Sequence, residues 1–129
     1  MSITRTTSGP KLPTGFPFSL ACQAQGLCFV SGMPALDAGG AYVPASFTEE
    51  ADLAWRNVEA IAQAAGYSAH ELLFVQCVLA DINDYEAFNA WWRKQFPDPG
   101  VAPARFTFQA AALPFGAKIE LQAVAARAQ

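Results

Sequence analysis

The sequence holds a single histidine, His70, and one imidazole removes most Ser-His-Asp, Cys-His and metal constellations from consideration. His70 stands in Ser68-Ala69-His70-Glu71, a polar turn after an expected helix, where a solvated ring is the plain expectation. Cysteine is scarce. Cys22, Cys28 and Cys77 are odd in number and form no C-x-x-C pair, so neither a disulfide framework nor a zinc site is supported. They read as buried free thiols in a reducing, cytoplasmic setting. No run of Lys and Arg occurs. With 8 basic and 11 acidic residues and a net charge of −3, nucleic acid has no electrostatic footprint to grip. Apolar stretches are broken within about ten residues, short of the ~20 that a membrane-spanning helix needs. The N-terminus shows no basic start followed by an apolar segment, so no secretion signal is expected. Charged residues make up only 15% of the chain, which makes each one inside an apolar strand informative.

Apolar residues, by contrast, are plentiful. They make up 53% of the 129 residues, above the usual ~45–50%. The length fits one domain, 1–129. The surplus suggests that some apolar surface is buried between subunits.

Residues 1–16 are polar and rich in Gly and Pro, with a short edge strand expected near Ile3–Thr6. Phe18–Gln23 and Leu27–Ser31 are two β-like runs separated by Gln25-Gly26, hence a hairpin. Asp37–Gly40 is a turn. Ser46 or Thr48 caps a helix, and Ser46-Phe47-Thr48-Glu49 has capping-box spacing. Acidic residues fill the first turns, where the helix dipole favours them. Ala51, Ala54, Trp55, Val58, Ile61, Ala62 and Ala65 recur with helical period, and Gly66 ends the helix. Leu72–Ala80 reads as a buried strand. A second helix is expected over Tyr85–Phe96, with Tyr85, Phe88, Trp92 and Phe96 as its apolar stripe. Pro97-Asp98-Pro99-Gly100 stops it. Arg105–Leu113 and Lys118–Ala126 are the last strands, joined through Pro114–Ala117. The order βββ-α-β-α-ββ predicts an α+β domain of two layers, a mixed sheet with two helices on one face. The other face would be left to bury, and three sheets packed around an axis would bury it.

Two charges stand inside apolar strands. Arg105 lies between Ala104 and Phe106, and an unpaired buried guanidinium is costly, so it needs an anion. Its planar fork matches a carboxylate. A structural ion pair or an exposed strand end is the alternative. Glu120 sits between Ile119 and Leu121 and points to the opposite face from both. A carboxylate shielded from water has a raised proton affinity and can serve as a general base near neutral pH; the alternative is an ordinary solvent-facing residue. A tight hairpin centred on residue 115 would set Arg105 opposite about residue 125 and Glu120 opposite about residue 110, not opposite each other. The two could still share a cleft if subunits meet there. Asn89 in the second helix and Ser31 at a strand end are further polar candidates, with local or solvent partners as the alternative. Trp91 and Trp92 read as packing or interface residues.

Taken together, these segments resemble the Rid (YjgF) family. The late signature is Pro103-Ala104-Arg105-Phe106-Thr107-Phe108, then Leu113-Pro114, then Ile119-Glu120-Leu121. Phe29-Val30-Ser31-Gly32, the helix Asn57 to Gly66 and the step Asp81-Ile82-Asn83-Asp84-Tyr85 match as well, so the resemblance covers about residues 15 to 127. It implies a fold similar to the trimeric bacterial chorismate mutase and a homotrimer with clefts between subunits. It implies hydrolysis of enamine/imine intermediates such as 2-aminoacrylate to 2-oxo acids and ammonia, with no metal or organic cofactor and a small carboxylate as the ligand. By position, Arg105 would clamp the substrate carboxylate and Glu120 would activate water. The Thr107 backbone would bind substrate, and Ser31 and Asn89 would line the cleft. Phe18 stands where active members commonly carry Tyr, Thr107 where Cys is frequent, and Met33 where Gln is common. The cleft is therefore expected to be more apolar than usual, which fits either a bulkier, pathway-specific substrate or a protein that binds carboxylates without turning them over.

Overall fold

The computed structural model describes residues 2–127. The first hairpin closes where expected. Gln25 and Gly26 both adopt left-handed backbone, with φ of 53° and 79°, the pairing of a two-residue turn whose twist suits flanking strands. The turn joins β2 (Ala21–Ala24) to β3 (Leu27–Met33), with Ala24 opposite Leu27. A short β1 (Thr4–Thr6) pairs with the outer side of β2.

Helix α1 spans Phe47–Ala64. Ser46 is the cap, not Thr48. The Glu49 N–H donates to Ser46 Oγ at 3.3 Å, and the Ser46 N–H donates to Glu49 Oε1 at 3.3 Å. Gly66, at φ 94°, carries the chain out of the helix where a side chain would be strained. Strand β4 (Leu72–Leu79) and helix α2 (Tyr85–Gln95) follow as the periodicity requires, then β5 (Ala104–Gln109) and β6 (Ile119–Ala126). Strand β5 is shorter at its C-terminal end than the apolar run suggested.

The strands form one six-stranded sheet in the order β1-β2-β3-β6-β4-β5. Here the structure departs from expectation. The last two strands do not pair as a hairpin: β5 lies parallel to β4 at the edge, while β6 runs antiparallel between β3 and β4. The β4-α2-β5 crossover fills one edge of β4, so the chain must step over to the other edge, and residues 110–118 make that step.

Both helices cover one face. Ile119, Leu121, Ala123 and Ala125 of β6 point into that core with Val75, Cys77 and Leu79 of β4, against Ala54, Val58 and Ile61 of α1. Trp91 of α2 is buried too, its indole N–H donating to Asp52 of α1 at 2.7 Å, although it lies off the stripe read from the sequence. Among the described residues nothing covers the other face. Phe29, 53% exposed, and Phe106, 56% exposed, stand on it together with Leu27 and the half-buried Val78 and Val124.

Candidate functional site

Arg105 lies on edge strand β5 in register with Val75, a core-facing residue, so its side chain leaves the sheet on the helix side. There it meets α2. Residues 85, 88, 89 and 92 fall on one helical face, and all four touch the guanidinium. Its Nη2 donates to Asn89 Oδ1 at 2.6 Å and, at 3.4 Å, to the Tyr85 hydroxyl. Cζ stands 5.0 Å from the Phe88 ring centre, 5.1 Å from Trp92 and 5.7 Å from Tyr85. Ring faces attract a cation, by ~0.5–2 kcal/mol each, without neutralising it. Among the described residues no carboxylate forms an ion pair with Arg105. Part of its five-donor fork therefore stays available to an anion. Beside it opens a pocket of about 340 Å³, lined by Asn89, Trp92, Arg93, Phe96 and Pro97. The aromatic cradle was missed in the sequence because Tyr85, Phe88 and Trp92 have the spacing of an ordinary core stripe.

Glu120 is in register with Val78, three residues along β4 from Val75. An odd separation means the opposite face. The half-buried Glu120 therefore points away from the helices, and one copy of the chain does not bring Glu120 and Arg105 together. Burial pushes the Glu120 carboxyl above the usual glutamate range. It carries no hydrogen bond or ion pair among the described residues, so nothing offsets that desolvation. The irregular stretch between Val30 and Met33 makes room for it. A Cβ at Gly32 would lie 3.1 Å from Glu120 Oε1, so glycine lets the carboxyl lie across the strand. The carboxyl opens into a second pocket, of about 220 Å³, with Phe16, Phe18, Met33, Leu36 and Phe115. Phe18 stacks on Phe16, ring centres 5.2 Å apart.

The remaining candidates behave differently. The Ser31 hydroxyl donates to the Ser19 carbonyl at 2.7 Å, the local partner that a strand-end hydroxyl finds. Thr107 shares the face of Arg105. Its hydroxyl is buried and has no hydrogen-bond partner among the described residues. Cys77 lies beside it in register, and burial pushes that thiol up to about 12, with the Arg105 charge and the Thr107 hydroxyl pulling the other way. The thiol–hydroxyl contact stops short of hydrogen-bonding geometry. Cys28 and Cys77 are buried as expected, whereas Cys22 is only partly so. His70 is exposed. Among the described residues no group of three His, Cys, Asp or Glu side chains is placed to hold a metal ion, and no helix is long and apolar enough to cross a membrane.

The chain matches the family model for endoribonuclease L-PSP over residues 10–127. It is 36% identical over 119 residues to the mitochondrial protein mmf2 of Schizosaccharomyces pombe, covering 90% of this chain and 92% of that one. It is 35% identical over 125 residues to a 2-iminobutanoate/2-iminopropanoate deaminase of Mus musculus, covering 95% and 91%. The crystal structure of E. coli TdcF with bound serine has a TM-score of 0.87 at 26% identity, covering 97% of this chain and 100% of that one.

Proposed function

The chain belongs to the endoribonuclease L-PSP family, also called YjgF or Rid, and from that membership we propose that it hydrolyses reactive 2-imino acids and their enamine tautomers to 2-oxo acids and ammonia. One observation carries the reading. Among the described residues a guanidinium and a glutamate, each half-buried, are both left without a charged partner, in a chain with few charges. Uncompensated charges inside apolar surroundings are costly, and a substrate that supplies the missing partner accounts for their presence.

In the proposed reaction Arg105 holds the substrate carboxylate, steadied from behind by Asn89 and the rings of α2. Glu120 orients a water against the imine carbon. The water oxygen bonds to that carbon as the C=N π pair moves to nitrogen, and Glu120 accepts a proton from the water. Return of that proton to nitrogen completes the carbinolamine. Glu120 then takes the carbinolamine's hydroxyl proton and delivers it to the same nitrogen, and the oxygen pair forms C=O as the C–N bond breaks and ammonia leaves with the bonding pair. The imine carbon is already electrophilic, so placing the water and moving its proton supplies much of what is needed, ~10²–10⁴-fold. Raised proton affinity suits Glu120 to both halves of the transfer.

Because Arg105 and Glu120 leave opposite faces of the sheet, the proposal requires a second copy. Three copies meeting through the open faces would cover Phe29 and Phe106 and set Arg105 of one against Glu120 of the next. RNA cleavage, named in the family's description, finds little here: the net charge is −3 and the one histidine is solvent-exposed.

The test follows ammonia and 2-oxo acid release from imines made in situ by an amino-acid oxidase. Acceleration is expected, with Glu120→Gln lowering kcat by ~10²–10⁴-fold. Arg105→Ala is expected to abolish turnover and weaken binding of 2-oxo acids. Full activity in Arg105→Ala, or a monomer by light scattering, would overturn the mechanism. Arg105-dependent binding with no turnover would identify a carboxylate-binding protein instead.

A further inference from the structure

We propose that the Glu120 pocket selects 2-imino acids whose side chain is aromatic or a bulky branched alkyl group. The inference rests on the deaminase reading and specifies its substrate. Among the described residues Glu120 is the one ionisable group that lines the pocket. The rest is Phe16, Phe18, Met33, Leu36 and Phe115, with prolines between them. Its volume of about 220 Å³ is many times the ~10–15 Å³ that a single water requires. A methyl group, close to water in size, would leave most of that apolar wall wet.

Phe115 adds an independent observation. Its backbone is left-handed, at φ 66° and ψ 4°, a conformation unfavourable for a bulky side chain. The ring gains little from the fold in return: it is 59% exposed, and among the described residues it stacks on Tyr42 alone, ring centres 6.2 Å apart. A strained backbone that holds a large ring out of the core, at the mouth of a pocket, is arranged for something that enters the pocket. Phe16 and Phe18, nearly parallel at 16°, line the same pocket. A planar or branched apolar group entering it meets ring surface while its imine carbon stays beside Glu120.

The experiment measures kcat/KM for imines made in situ from phenylalanine, leucine and alanine, for the unaltered protein, Phe115→Ala and Phe18→Ala. The expected result is a preference of about tenfold or more for the phenylalanine- and leucine-derived imines over the alanine-derived one. That preference should shrink towards unity in Phe115→Ala. Equal or reversed preference in an active protein overturns the inference and leaves the deaminase reading standing. If no imine is turned over, the deaminase reading fails, and calorimetric titration with phenylpyruvate and pyruvate decides the pocket separately. Tighter phenylpyruvate binding that is lost in Phe115→Ala supports the selectivity. Equal affinities, or tighter pyruvate binding, refute it.

Discussion

At the scale of single residues, the two charges are governed by different surroundings. Arg105 is cradled by aromatic rings and hydrogen-bonded to an amide oxygen. Glu120 is set in an apolar pocket with no cation beside it among the described residues, and burial raises its proton affinity. The sign for activity follows directly. The proposed base must be ionised, so kcat/KM is lost as pH falls through a pKa lying above the ordinary glutamate value of about 4.3. A pH–rate profile should place the acid limb above that value, and the residual rate of Glu120→Gln should lack it. A limb unchanged by the substitution would assign it to another group. Both charges could be picked out of the sequence because each interrupts an apolar strand. The cradle around Arg105 could not, because the stripe of Tyr85, Phe88 and Trp92 is the same whether it faces a core or a cation. Which of these holds depends on where α2 lands relative to β5.

At the scale of elements, local chemistry was readable and long-range pairing was not. The capping box at Ser46, the Gln25-Gly26 turn and the period of α1 are written within a few residues. The placing of β6 between β3 and β4 is not, since Pro114–Ala117 looks like a hairpin turn whichever strand comes next. Glu50 shows the same limit. By position it is one of several acidic residues at the start of α1. In the fold it is fully buried, accepting hydrogen bonds from the Tyr42 hydroxyl at 2.6 Å, the Lys118 N–H at 3.0 Å and Lys118 Nζ at 3.2 Å. Burial alone would raise its pKa, but these bonds outweigh burial and hold it below the usual range, while Tyr42 is pushed up to about 12 by its own burial and by Glu50. Glu50 thus ties α1 to the start of β6 and to Tyr42, on which Phe115 stacks. Glu50→Ala is expected to destabilise the protein by about 3 kcal/mol at pH 7, measured by urea unfolding. Because the folded pKa is depressed, this contribution is present above about pH 4.5 and fades as pH falls below it. The difference between the two proteins should therefore narrow in acid. A constant gap would mean that packing, not charge, explains the loss.

At the scale of the whole molecule, the sheet face away from the helices carries exposed apolar residues of the chain's apolar surplus. Phe29 and Phe106 are large, exposed and on the same side, and the proposed assembly would bury them. Composition could signal that a surface was left over. It could not show that Arg105 and Glu120 would leave the sheet on opposite sides, because that depends on the registers along β4. This arrangement has a genetic consequence. Arg105→Ala and Glu120→Ala should each be inactive alone, yet unfolding them together and refolding the mixture should restore function. Wherever a copy with an intact arginine meets a neighbour with an intact glutamate, a working cleft reappears. Random assembly of equal amounts puts about a quarter of the clefts in that state, so roughly a quarter of the original rate should return. No recovery would mean that each chain builds its site alone. Recovery would mean that two damaged alleles in one cell can complement each other.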